Sequence, residues 1–454
     1  MNWKELFFKL ALLAVVAYFA IGAINDKEKI KDFSVIHNDV NFYYSYLPAL
    51  FIYGDMSFEF VDNLAEKDRK KIWFLTDPDD NRHSKMTAGN AVMYLPFFLG
   101  AHVYALNSDY DANGYSVPYD KALHYSALVY LLFGLWILMG LLLKYYSWTA
   151  VALTVVALAL GTNLFYYTTH ESAMTHVNSF FLFVLFIYFT ERWHRKKFQV
   201  TDSIYLGLCL GLIILIRPTN GLIALLPLLY GISNFKSIWE KIVLVFKQKW
   251  SLLALILSAS VVIFIQPFLW KLGTGNWIIY SYGEEGFFFT NPKIIDGLFS
   301  YRKGWLIYTP IMALSLIGLY YLFKTNSKFK WSIIVYFVLH IYVTFSWWCW
   351  WYGGSFGSRP MIETYAVLAI PMTAFFHEFT KKSWFKKALL AVLIYFAVKL
   401  NFFQTKQYVS TLIHWDSMTK EAYWAVFMKE EFPPNYFELI EAPDYEKAKV
   451  GGGD

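Results

Sequence analysis

The residues that could do chemistry in this chain collect in short polar segments between long apolar runs. The segments are "HNDVNFYY" (37–44), "NRHSKMTAGN" (81–90), "THESAMTH" (169–176) and "SFGSRPMIE" (355–363), and Arg217 in "LIRPTNG" joins them. Carboxylates and histidines transfer protons, and arginines bind anions through two parallel hydrogen bonds. Any one segment can equally be a solvated flank of a helix, whereas several on one side of a membrane favour a site.

The apolar runs between these segments predict a membrane protein with several helical spans. Of the 454 residues, 57% are hydrophobic and 16% are charged, against about a quarter charged in a soluble domain. Runs such as "ALVYLLFGLWILMGLLL" and "SLLALILSASVVIFIQPFLW" approach the ~20 residues that cross a hydrocarbon core. The first run could also be a signal peptide, since "AIGA" resembles a cleavage site, but a retained anchor agrees better with the loops that follow.

The net charge and the cysteines do not point to another class of protein. The formal charge of +6 is carried by Lys and Arg in short loops between apolar runs, which is a topological signal and not a nucleic-acid footprint. Cys209 lies in an apolar run and Cys349 in an aromatic loop, so the chain shows neither a disulfide framework nor a CxxC metal motif.

Four basic loops predict the orientation in the membrane. The segments 191–197, 236–249, 324–330 and 381–387 are rich in Lys and Arg and are therefore placed in the cytoplasm. The N-terminal segment carries lysines as well, so residues 25–121 begin and end outside. All of the polar segments then share the outer face.

The apolar stretch 91–106 does not fit this scheme as a full crossing. It is short and contains Pro96 and Gly100, so a re-entrant or interfacial helix is predicted, with a second juxtamembrane piece near 42–54. Eleven transmembrane helices are predicted, the first near the N-terminus and the others at 122–143, 149–167, 174–190, 203–216, 220–232, 251–270, 305–323, 331–347, 362–377 and 386–403. Residues 404–454 are predicted to form a short external tail.

The ordered set of motifs resembles the GT-C superfamily of membrane glycosyltransferases. The motifs are "HNDVNFYYSYLPAL", "TAGNAVMYLPFF", "THESAMTH", "GLIILIRPTNG" and "WWYGGSFGSRPMIE", and they fall in the order found in bacterial members related to the protein mannosyltransferase and aminoarabinose transferase families. The resemblance covers residues 1–403 or so and implies an all-α polytopic catalytic domain with a long first extracytoplasmic loop. Asn38 and Asp39 stand where many of those enzymes have an Asp-Glu pair, which leaves the sugar chemistry open.

The resemblance implies attack by an acceptor on the anomeric carbon of a lipid-phosphate sugar. Asp39 corresponds to the catalytic carboxylate and would act as general base, while Glu171 would orient the acceptor or assist a cation. Three cations, Lys85, Arg217 and Arg359, would bind the donor phosphate. The predicted substrate-binding residues are Asn38, Tyr43, His83, His170, His176 and Glu363, with Arg82 as a neighbour. The spacing of His170, Glu171 and His176 is not a zinc helix motif, so no metal ligand is assigned, and a divalent metal ion stays open as a cofactor.

The implied partners are a polyprenyl-phosphate sugar donor, membrane lipid and an extracytoplasmic lipid, glycan or protein acceptor, without nucleic acid. The implied location is the inner (cytoplasmic) membrane, with the active site on its extracytoplasmic face. A flippase for lipid-linked saccharides and a structural partner in envelope assembly are the alternatives. The aromatic run 347–354 is interpreted as an interfacial belt rather than a sugar platform. The loop 271–304 is either a substrate lid or a plain surface segment.

Overall fold

The computed structural model describes residues 3–30, 33–234, 236–381 and 383–452, which are mainly helical. The helices are α1 (Trp3–Glu28), α2 (Asp39–Pro48), α3 (Glu66–Arg69), α4 (Gly89–Leu106), α5 (Val117–Leu142), α6 (Trp148–Gly161), α7 (Leu164–Thr169), α8 (Thr175–Arg195), α9 (Val200–Ile216), α10 (Leu225–Leu229), α11 (Lys236–Lys247), α12 (Lys249–Ile263), α13 (Ile265–Thr274), α14 (Ile294–Phe299), α15 (Trp305–Tyr308), α16 (Ala313–Lys324), α17 (Lys330–Thr344), α18 (Thr364–Thr380), α19 (Trp384–Val409), α20 (Lys420–Val426), α21 (Tyr436–Leu439) and α22 (Tyr445–Lys449). Strands β1 (Leu75–Thr76) and β2 (Arg82–His83) pair in an antiparallel manner. Met1, Asn2 and Lys382, which belong to the basic segments used for the orientation, and the last two residues of the predicted tail lie outside these ranges.

The long helices are those of a membrane protein, as the composition predicts. Four helical stretches in the described part of the chain are long and apolar enough to cross a bilayer: Trp3–Glu28, Val117–Leu142, Lys249–Thr274 and Trp384–Val409. Five shorter apolar helices accompany them. The membrane character is therefore confirmed, whereas the count of eleven spans stays a prediction.

Several predicted spans are interrupted in the structure. The span predicted at 149–167 divides into α6 and α7, because Thr162 leaves the helix with extended backbone and its hydroxyl accepts from the amide of Leu164. The span predicted at 220–232 is a 3-10 turn (Pro218–Ala224) followed by the short α10. The stretch predicted as interfacial at 91–106 lies in α4, one continuous helix that contains Pro96.

Small residues let the helices approach closely. A Cβ atom at Gly318 of α16 would overlap with the carbonyl oxygen of Pro371 in α18. A Cβ atom at Gly211 of α9 would lie 2.6 Å from the carbonyl oxygen of Ala259 in α12. Close backbone approach of this kind is a usual source of van der Waals contact between membrane helices.

The segment that carries α2 is anchored to the first residues of α5. The carboxylate of Asp120 accepts hydrogen bonds from the amides of Val35 (2.8 Å) and Ile36 (3.2 Å) and from the hydroxyl of Ser34 (2.7 Å). The ammonium of Lys71 lies 3.4 Å from the same side chain. Asp120 is buried, so these contacts satisfy its charge and fix where α2 begins.

Candidate functional site

One cavity of about 390 Å³ gathers charged residues from distant parts of the chain. It is lined by Asp39 at the start of α2, Lys85 before α4, Arg217 after α9 and Arg359 in the turn before α18. Tyr43, one turn along α2 from Asp39, also lines it. The Asp39 carboxylate and three cations therefore open onto a common space, which the loop residue Glu285 also lines.

Asp39 and Arg359 form an ion pair inside this cavity. The distance from Asp39 Oδ2 to Arg359 Nη2 is 3.2 Å. Burial is the largest single influence and works to lower the pKa of Arg359, but the Asp39 carboxylate, together with nearby tyrosines and Cys349, holds that pKa above its ordinary value. Arg359 Nε is buried and has no hydrogen-bond partner among the described residues, so this guanidinium has a donor to spare.

Asp39 owes its place to an unusual turn. Asn38 has φ 52° and ψ −132°, a backbone conformation that costs free energy for any residue except glycine. The strain lets the chain turn abruptly into α2, so that Asp39 is its first residue, where the helix dipole favours a carboxylate. The side chain of Asn38 itself is exposed and contacts His37 at 3.1 Å, and it does not line the cavity.

Arg217 is held by a fully buried carboxylate. Glu363 Oε1 lies 3.5 Å from Arg217 Nη1 and 3.0 Å from His176 Nδ1. The guanidinium of Arg217 also lies over the ring of Tyr352, 5.8 Å from its centroid. Glu363 and His176 do not line the cavity in this structure. They stand behind Arg217 and fix its position.

Lys85 is held by the loop between α13 and α14. Its ammonium lies 2.5 Å from Glu285 Oε1 and 5.4 Å from the ring centroid of Tyr282. The hydroxyl of Ser281 donates to the carbonyl oxygen of Lys85 at 2.6 Å. Tyr282, Glu285 and Phe287 line the cavity, so this loop forms one of its walls.

Besides Glu363 and His176, four more of the predicted site residues lie outside this cavity. Glu171 accepts from the hydroxyl of Tyr166 (3.4 Å) and lies 3.9 Å from His37 Nε2, close to the start of α2. His170 stacks on the ring of Tyr166. The other two are Asn38 and His83, and His83 lies in β2.

Arg82, the predicted neighbour of His83, contacts other residues of its own loop and does not line the cavity. Its guanidinium pairs with Asp62 at 2.8 Å, donates to the carbonyl oxygen of Phe58 at 3.1 Å and lies over the ring of Phe74. Each of these contacts stays within residues 58–82, in the loop between α2 and α4.

The aromatic run after α17, which is predicted to form an interfacial belt, lies at the cavity. Trp347, Trp348 and Tyr352 line the cavity, whereas their place in an interfacial belt stays a prediction. The sequence does contain a signal for their position at the cavity: Gly353, which follows them directly, adopts φ 63°, and the turn leads toward Arg359.

Within the described residues, no three His, Cys, Asp or Glu side chains are grouped so that they could hold a metal ion. What the arrangement does offer is a set of preplaced cations for an anionic ligand, beside a carboxylate that can accept a proton.

No protein-family model matches the sequence, and no curated protein matches it as a relative. Solved structures are similar in fold. The oligosaccharyltransferase of Archaeoglobus fulgidus in its apo form has a TM-score of 0.52 and 12% sequence identity, over 96% of this chain and 60% of that one. The archaeal oligosaccharyltransferase AglB from Archaeoglobus fulgidus, in complex with an inhibitory peptide and a dolichol-phosphate, has a TM-score of 0.54 and 12% identity, over 95% and 61%.

These similarities establish the fold. The chain has the GT-C fold that the motifs predict, and it spans about three fifths of the length of the oligosaccharyltransferase chains it resembles. The relation to the bacterial protein mannosyltransferase and aminoarabinose transferase families stays a prediction.

Proposed function

We propose that this protein is a glycosyltransferase that moves a sugar from a polyprenyl-phosphate-linked donor to an extracytoplasmic lipid, glycan or protein. The observation that carries the proposal is the cavity in which Asp39 stands beside Lys85, Arg217 and Arg359 in a chain of GT-C fold. A lipid-phosphate sugar combines an anion, a polar ring and an apolar tail. A charged cavity in a membrane protein suits such a ligand.

In this proposal Asp39 acts as the general base. Its carboxylate takes the proton from an acceptor hydroxyl or amine as that group forms a bond to the anomeric carbon of the sugar. The bond between the anomeric carbon and the phosphate oxygen breaks at the same time, and the electron pair leaves with the polyprenyl phosphate. Each transfer consumes one donor and one acceptor, and no redox step is involved.

The cations stabilise the leaving phosphate. Arg359 contacts Asp39 through Nη2 and keeps Nε for a second acceptor. Arg217 presents its guanidinium while Glu363 holds it through an ion pair. Because these donors are already in place, the negative charge that develops on the phosphate is stabilised with little reorganisation. The predicted role of Glu171 in orienting the acceptor would be exercised from beside His37, at the edge of α2.

A flippase for lipid-linked saccharides is the second candidate. One observation favours it: Arg217 lies where α9 stops and a 3-10 turn begins, and transporters often place charged residues at broken helices. The acidic residue beside a phosphate-binding arginine is not needed for movement alone, which favours the transferase.

Reconstitution distinguishes the two candidates. Purified protein in liposomes would receive polyprenyl-phosphate sugars labelled in the sugar, with a total membrane extract as the source of acceptors. We expect labelled product and unlabelled polyprenyl phosphate from the wild type, and a matched Asp79→Asn variant, changed at an exposed aspartate outside the cavity, should behave alike. Movement of intact donor across the bilayer without cleavage would support the flippase and contradict the transferase.

A further inference from the structure

A buried lysine that the reaction does not use directly stands behind the loop that presents Arg359. Lys303 lies between α14 and α15 and is 1% exposed. Its ammonium donates to the carbonyl oxygen of Ser355 and lies 5.3 Å from the ring centroid of Tyr408. Ser355 is only four residues before Arg359, so the contact falls on the backbone that delivers this arginine.

The loop from Ser355 to Arg359 is fixed from several sides, and Lys303 supplies the only cation among the contacts described for it. The amide of Phe356 donates to the hydroxyl of Tyr167 at 3.1 Å, and its carbonyl oxygen accepts from Asn163 Nδ2 at 3.1 Å. The amide of Ser355 donates to the carbonyl oxygen of Trp415 at 3.3 Å. A hydrogen bond from a charged donor is about twice as strong as one between neutral groups.

Lys303 also fixes the aromatic packing under this loop. Tyr408, over which the ammonium lies, packs against Phe356 with ring centroids 5.4 Å apart. The following residue, Gly357, has φ 62°, and a Cβ atom there would lie 2.9 Å from Tyr308 Cβ. The backbone of this loop is therefore closely packed, and a displacement of Ser355 would also displace Arg359.

Burial of this ammonium has a cost that packing alone does not explain. Burial is the main cause that lowers the pKa of Lys303 to about 7, and the nearby Arg302 and Arg359 lower it further against the attraction of Asp416. A neutral apolar side chain would fill the same space without that penalty. A lysine at this position is thus better explained by the carbonyl oxygen to which it donates than by stability.

We propose that Lys303 is a positioning residue that sets the loop carrying Arg359, and through it the binding of the donor phosphate. The inference rests on the proposed transferase function. Lys303 does not line the cavity, so its effect on the donor is indirect, and we assign it to Arg359 because that arginine ends the loop to which Lys303 donates.

The test is a double-mutant cycle on donor KM, kcat and melting temperature. Lys303→Met should raise the donor KM about tenfold while the melting temperature is unchanged or higher, since a buried charge is removed. In an Arg359→Ala background the same change should have little further effect, because residues that act through one another are not additive. Lys303→Arg, which keeps a cationic donor, should restore part of the KM. Lys293→Met, a matched change in the same outer segment, should leave the donor KM unaltered.

Other results would overturn the inference. A donor KM that does not move in Lys303→Met, or effects of Lys303→Met and Arg359→Ala that simply multiply, would show that Lys303 has no role through Arg359. If Lys303→Met fails to fold, Lys303→Arg takes its place in the cycle, with a smaller rise in KM and the same dependence on Arg359. A wild type that turns over no labelled donor would contradict the proposed function itself, and the inference with it.

Discussion

At the scale of single residues, every cation in the cavity has a carboxylate of its own. The pairs are Arg359 with Asp39, Arg217 with Glu363, and Lys85 with Glu285. The partners are between 146 and 320 positions apart in the chain. The sequence identifies these cations by their motifs, but it does not contain the pairings, because only the tertiary packing brings such distant positions together.

The first prediction concerns the two arginines. Arg217→Ala and Arg359→Ala should each weaken donor use, and Lys at either position should restore part of it, because a lysine keeps the charge but not the planar fork that binds phosphate. The measurement is kcat/KM for the labelled donor. Arg82→Ala is the matched control, since Arg82 pairs with Asp62 away from the cavity. Normal donor affinity and turnover in both cavity variants would make these arginines interface anchors.

A second prediction uses the buried lysine and pH. The pKa of Lys303 in the folded protein, about 7, lies below the ordinary value of 10.5, so the unfolded chain binds this proton more tightly. Lys303 therefore makes its full contribution to the free energy of unfolding above pH 10.5, and this contribution falls as the pH drops toward 7. The groups that face Lys303 are Asp416, Arg302, Arg359 and His414, together with the ring of Tyr408.

The readout is the difference in melting temperature between the wild type and Lys303→Met. Lys303 also helps to lower the pKa of His414, but that group titrates below pH 7, so from pH 7 upward the difference reports the titration of Lys303. We expect the melting temperature of the wild type to rise relative to that of Lys303→Met as the pH increases from 7 to 9.5. A difference that stays constant over this range would mean that Lys303 keeps an ordinary pKa.

At the scale of elements, long apolar runs predict helices well and their interruptions poorly. The predicted spans at 122–143 and 386–403 lie within α5 and α19. The break at Thr162 and the 3-10 turn after Arg217 are not visible in the apolar pattern, because they depend on local hydrogen bonds and neighbouring helices. Helix α11 is also absent from the prediction. Its exposed Trp239 and Phe246 alternate with charged residues, which is the pattern of an interfacial helix rather than of a plain basic loop.

Helix packing gives the third prediction. Gly318→Ala should lower the melting temperature by several degrees, because its Cβ would overlap with the backbone of Pro371 and force α16 away from α18. Gly100→Ala is the matched control, since a Cβ there has no atom within 4 Å. Thermal unfolding of the two purified variants in one detergent measures the contrast. Equal melting temperatures would contradict the close packing of these helices.

The fourth prediction concerns the orientation of α4. A cysteine in place of the exposed Asn107 should react with an impermeant thiol reagent added outside, because residues 91–106 are predicted not to cross. Lys328→Cys, in a loop predicted to be cytoplasmic, should react only from the inside. The native Cys209 and Cys349 are buried and give a low background. Labelling of position 107 from the cytoplasmic side alone would contradict the predicted interfacial helix.

At the scale of the whole molecule, the fold and the reaction class follow from different observations. The GT-C fold is supported by solved structures at 12% identity, which is too distant to carry over substrates. The reaction class is a proposal that depends on the cavity and its charges. The order of the motifs predicts the fold, and it predicts a common site for Asp39, Lys85, Arg217 and Arg359. It does not distinguish residues that line the cavity from residues such as Glu363 that hold them in position.

The central claim is that Asp39 is the base, and the most direct measurement is single-turnover sugar transfer by Asp39→Asn beside donor binding to the same purified protein. The substitution is nearly isosteric, so folding and donor binding should stay close to those of the wild type. Transfer should fall by roughly 10²–10⁴-fold, the usual effect of removing a general base. Full transfer by Asp39→Asn would contradict the claim, and Glu171, which lies beside His37 near the start of α2, would become the candidate base.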